Sequence, residues 1–79
     1  MKLEEIITVD PEIQFGTPVF TGTRVPIESL FWHLEKGISL DDFLDDFPSV
    51  TRQQAIALIE VASKTLTRSD FSKFYEIAA

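Results

Sequence analysis

From Pro26 onward the apolar residues recur at helical spacing, and three helices follow from where that spacing starts and stops. Ile27, Leu30, Phe31 and Leu34 fall at i, i+3, i+4 and i+7, with Pro26 in a first-turn position and Gly37 as a stop. Ser39 and Asp42 then form a capping-box pattern with Asp in the Glu position, ahead of a stripe of Leu40, Phe43, Leu44 and Phe47 that ends at Pro48. Thr51 and Gln54 make a second capping box, after which Ala55, Leu58, Ile59, Ala62 and Leu66 keep helical spacing. The third helix is predicted to be the longest.

The first 25 residues read differently. Ile6 to Val9 and Pro18 to Phe20 are predicted as short strands, with Asp10-Pro11 and Thr21-Gly22 as turns, because Pro presets φ and Gly accepts positive φ. Two such strands make a flap, not a sheet that stands alone. The fold class expected is therefore mainly α: a trihelical helix-turn-helix unit with a short N-terminal β hairpin, over residues 1–66. The remaining 67–79 form a tail in which Phe71, Phe74, Tyr75 and Ile77 have helical spacing among polar residues, a candidate partner-binding segment.

Composition narrows the possibilities. Seventy-nine residues allow one domain, and a hydrophobic fraction of 44% is too high for a disordered chain. A domain this small buries only about 60% of its unfolded surface. With no cysteine it has neither a disulfide nor a thiolate metal site, so a homodimer is the expected further support. The start MKLEEIITV has acids inside it and no apolar core of a secretory signal, and no apolar run approaches the roughly 20 residues of a membrane span. A cytoplasmic location without membrane contact is expected.

The net charge of −6 argues against a generic nucleic-acid coat. Its distribution qualifies that: residues 1–50 carry −7 and residues 51–79 carry +1, so any phosphate contact is expected from the second half.

Little in the chain supports catalysis. There is one histidine, and the acids of the second helix come as Asp41-Asp42 and Asp45-Asp46, which reads as a solvated face and lacks the alternating ligands and central Gly of a calcium loop. His33 lies one residue off the apolar stripe beside Trp32, with nothing to mark a triad around it, and reads as structural. Gly16 to Arg24 superficially looks like a phosphate-cradling loop, but five residues separate the glycines and Thr-Arg follows where Lys-Ser/Thr is needed. A tight hairpin is expected there, with Arg24 pairing to Asp10 or Glu28, or else reaching a DNA phosphate or a partner chain. In a helix-turn-helix reader the residues opening the last helix face the bases, which nominates Thr51, Arg52, Gln53 and Gln54. With few cations nearby, DNA binding would be salt-sensitive and need a dimer. The residues alone leave a DNA reader and a protein-binding trihelical module equally open, with a small enzyme subunit a distant third. No enzyme activity, cofactor or metal is expected.

Residues 7 to 59 closely resemble the short bacterial proteins grouped as domain of unknown function 433. The resemblance is carried by DPEI at 10–13, the G-x-P-V-F-x-G-T-R-V-P stretch from Gly16 to Pro26, L-x-x-G-I-S-L-D-D-F from Leu34 to Phe43, and D-F-P-S-V-T at 46–51. It implies a homeodomain-like or winged helix-turn-helix fold and the function of an antitoxin of a type II toxin-antitoxin pair: neutralising a PIN-like nuclease toxin and autoregulating the operon by binding operator DNA. The implied DNA-reading residues are Arg52, Gln53 and Gln54, and the implied toxin-binding segment is the tail with Phe71, Phe74 and Tyr75. The chain departs from many relatives at Phe15, where they have Gly, and at Thr17, where they have Lys, which removes a possible phosphate contact from the flap. The alternative to the antitoxin reading is a protein-interaction adaptor that does not bind DNA.

Overall fold

The computed structural model describes residues 1–68. The tail positions Phe71, Phe74 and Tyr75 lie outside the described residues. The element order is α1 (Leu3–Ile6), β1 (Ile7–Thr8), a short 3-10 turn (Gln14–Gly16), β2 (Val19–Phe20), α2 (Glu28–Glu35), α3 (Leu40–Asp46) and α4 (Arg52–Leu66). The protein is thus mainly helical, with a short antiparallel β pair at its N-terminal end.

The three long helices begin and end where the chain supplies the chemistry. The Asp42 amide donates to Ser39 Oγ at 3.1 Å at the start of α3. At α4 the Gln54 amide donates to Thr51 Oγ1 and the Thr51 amide donates back to Gln54 Oε1, so the expected capping box is complete. At the end of α2, Gly37 takes φ +78°, and the Gly37 and Ile38 amides donate to the carbonyls of Leu34 and His33. That paired closure needs a left-handed residue, which glycine adopts without a Cβ penalty.

The N-terminal region differs in detail from the expectation. Leu3 to Ile6 form a helical turn, closed by the Lys2 amide donating to Glu5 Oε1 at 2.8 Å, so the first strand starts one residue late. A single turn is too short to show a period. Ile7 pairs with Phe20 and Thr8 with Val19. The tight hairpin lies further on: β2 folds back through Thr21–Arg24, the Phe20 amide donates to the Val25 carbonyl, and Val19 bridges Pro26.

Ile6, Val19, Phe20, Leu30, Phe43, Val50, Ala55 and Leu58 are buried, so α1, the β pair and all three long helices meet in one core. Two predicted stripe residues, Leu34 and Leu66, each near the end of its helix, are exposed instead. Phe43 is at the centre, with ring centroids 6.2 Å from Phe20, 5.0 Å from Phe47 and 5.1 Å from His33. His33 stacks edge-on against both Phe43 and Phe47, and its Nδ1 lies 2.6 Å from the Ser29 carbonyl, to which it donates. The histidine is a packing group held by its own helix.

Gln14 and Phe15 both have positive φ, at 50° and 57°, and Phe15 is wholly exposed. A left-handed non-glycine residue costs about 1–2 kcal/mol, and Phe15 has no burial to offset it.

Replacing Phe43 by Ala removes the ring at the centre of the core and is expected to cost about 3–5 kcal/mol, enough to leave so small a domain close to unfolded in a urea titration. Phe15→Gly is expected to do the opposite, raising stability by up to about 1 kcal/mol by the same titration, since it relieves the backbone without loss of a contact.

Candidate nucleic-acid interface

Helices α3 and α4 are joined by the five residues 47–51, the connectivity of a helix-turn-helix, and the opening of α4 is where a base-reading surface would be. Of the four candidates there, Thr51, Arg52 and Gln54 make contacts within the protein itself.

Thr51 is the N-cap of α4, its hydroxyl oxygen accepting from the Gln54 amide. Gln54 points inward and is only 8% exposed. Its Nε2 donates to the Thr21 carbonyl at 2.9 Å and to the Glu5 carbonyl at 3.2 Å, while its Oε1 accepts from the Thr51 amide. Both donors of the amide are thus engaged and its oxygen accepts as well, so the buried side chain has no donor left for a base edge. The expectation that Gln54 faces a base is corrected on that ground: a Gln at the third position of a capping box is also close enough to α1 and the hairpin to tie them down.

Arg52 is exposed, but its guanidinium pairs with Asp41 of α3. Both side chains are well exposed, at 57% and 74%, so the pair contributes at most about 1 kcal/mol and can exchange for another anion. Asp41 is the contact that spacing did not reveal. It lies in the first turn of α3 and Arg52 opens α4, and only the turn between the two helices brings them together. Asp42, Asp45 and Asp46 are exposed on the same helix, so α3 adds negative charge that opposes the approach of a polyanion. Gln53 remains exposed at the opening of α4.

Arg24 stands apart from these. It is exposed and makes no ion pair among the described residues, with Asp10, Glu28 or any other acid. It borders one groove of about 590 Å³ with Thr8, Ile13, Gly22, Thr23, Val25 and Ser49, and a smaller one with Pro11, Glu12, Gln14 and Phe15. Among the described residues no group of three or more His, Cys, Asp or Glu side chains is placed to hold a metal ion, and no helix is long and apolar enough to cross a membrane.

Residues 7–62 match the model of the family described as Protein of unknown function (DUF433). The chain belongs to this family. The DUF433 match begins at β1 and ends within α4, so it takes in the β pair, the hairpin and all the residues just described except those of α1. The chain is also similar to the uncharacterized protein y4eO of Sinorhizobium fredii, with 38% identity over 50 residues. That alignment covers 63% of this chain and 23% of the relative, so the chain spans less than a quarter of that protein's length. No solved structure matches the chain.

Gln54→Ala is expected to destabilise the DUF433 domain by about 2–3 kcal/mol, because it removes half of the capping box and leaves two backbone carbonyls without their donor. Arg52→Ala is expected to change stability by no more than about 1 kcal/mol. Urea titrations of the two variants, side by side, check both values.

Proposed function

We propose that this DUF433 chain is an antitoxin-like protein that acts by binding a partner protein, a PIN-like nuclease, in the cytoplasm, as a homodimer and without catalysis of its own. The observation that carries the reading is the allocation of side chains around α4. Gln54 and Thr51 serve the fold, Arg52 is paired with Asp41, and α3 exposes Asp42, Asp45 and Asp46 as well. A surface of this kind suits a basic RNA-binding cleft better than it suits a phosphate backbone, since opposite potentials steer association and like charges oppose it. The nuclease itself is supplied by the resemblance of residues 7 to 59, and the tail with Phe71, Phe74 and Tyr75 is its proposed binding segment.

Operator binding is the second reading. What favours it is that Gln53 and Arg52 are exposed where a helix-turn-helix presents its base-facing residues. Arg24 on the hairpin, without an ion pair among the described residues, is a further cation available to a phosphate.

The protein-binding reading is tested by co-expressing the full chain with its neighbouring open reading frame and repeating the pull-down with a chain cut after Leu66. Retention of a nuclease-like neighbour by the full chain and its loss on truncation is the expected result, and failure of both chains to retain it overturns the reading. For the operator, fluorescence anisotropy with promoter DNA is expected to show no more than weak binding that disappears as salt rises and falls further in Arg52→Ala. Tight, salt-resistant binding would reverse the order of the two readings.

A further inference from the structure

Beside the opening of α4 lies a groove of about 300 Å³ lined by Met1, Arg52, Gln53, Ile56, Ala57 and Glu60. Its floor is apolar, and Ile56 and Met1 remain 44% and 60% exposed among the described residues, with Leu3 of α1 exposed nearby in the chain. The charges at its rim have an order. Arg52 lies four residues before Ile56 and Glu60 four residues after it, so the three occupy successive turns on one face of α4 as cation, apolar residue and anion.

We propose that this groove is occupied by α4 of a second copy of the chain, the two helices running antiparallel across a two-fold axis at Ile56. In a two-fold contact each residue meets the position reflected through the axis. Ile56 then packs on Ile56 of the other copy, Arg52 faces its Glu60, and Glu60 faces its Arg52. The face is complementary to itself, and only in the antiparallel sense, since a parallel pairing would set like charges together. Met1 lines the groove together with Ile56 and Ala57 and adds to its apolar surface. Within one chain Arg52 and Glu60 are two helical turns apart, about 12 Å along the axis, so they do not satisfy each other. The exposed Asp41 pair of Arg52 is weak enough to be shared or exchanged when the second copy arrives. The patch is small beside the surface that permanent dimers bury, which makes this a reversible, concentration-dependent dimer. The proposal gives the homodimer of the preceding section its surface and is independent of the toxin and of DNA. It also has a consequence for the operator: Arg52 buried between two copies is withdrawn from a phosphate or base.

The test is sedimentation equilibrium of the full chain over a wide concentration range, with circular dichroism to confirm that each variant stays helical. The wild type is expected to dimerise reversibly and Ile56→Glu to weaken the dimer by more than about tenfold. R52E and E60R chains should each fail to self-associate, because each places like charges across the axis, and an equimolar mixture of the two should recover a dimer, since every cation then faces an anion. A wild type that stays monomeric throughout overturns both the dimer and this surface. A wild-type dimer untouched by Ile56→Glu, or an R52E and E60R mixture that does not recover association, overturns this surface and leaves the dimer itself standing.

Discussion

The side chain of Gln54 joins three parts of the chain that are far apart in sequence: α1, the hairpin turn and the first turn of α4. A two-residue strand pair and a single helical turn cannot stay folded on their own, since a short hairpin is marginal in water and one turn of helix lies below the nucleation cost. The Gln54 amide reaches the Glu5 carbonyl at the end of α1 and the Thr21 carbonyl at the hairpin turn, and so fastens both to the first turn of α4. Ile6 and Phe20, each adjacent to one of those carbonyls, are thereby delivered to the core against Phe43. A buried amide of this kind is costly if any part of it is unmatched. Here each polar group has a partner, and no buried side-chain nitrogen or oxygen among the described residues lacks one.

That constraint reaches into function. A helix-turn-helix reader needs the residues opening its last helix to be free, and in this chain the first turn of α4 is divided between an inward face and an outward one. Gln54 faces the protein and the exposed Thr51 caps the helix with its hydroxyl, whereas Arg52 and Gln53 face solvent. The cation of the outward part is already matched by Asp41 of α3. The same outward face carries Ile56 and Glu60, which makes it as well suited to a second helix as to a groove of DNA.

The helical part of this fold was legible in the sequence because its signals are local. Capping boxes, the left-handed Gly37 and apolar positions at three- and four-residue intervals depend on neighbours within one or two turns, and α2, α3 and α4 appear where those signals lie. His33 was likewise readable as structural from its isolation. What the sequence did not reveal depends on tertiary proximity. Gln54 was legible as a cap and was also nominated as a base reader, and only the arrival of Glu5, from 49 residues earlier, decides between those roles. Asp41 met Arg52 for the same reason. The α1 turn escaped notice because four residues carry no period, and the backbone of Phe15 because its left-handed geometry is set by the loop and not by its own preference.

The inward orientation of Gln54 is the point on which this account depends, and its exposed neighbour Gln53 provides a control in the same molecule. Hydrogen exchange of the two side-chain amides, followed by nitrogen-resolved NMR of the full chain in its native state, measures it directly. The account predicts that the Gln54 amide protons are protected and shifted from their solvent values while those of Gln53 exchange freely. Equal, fast exchange at both residues would contradict it, and would return Gln54 to the surface as a residue able to face a base.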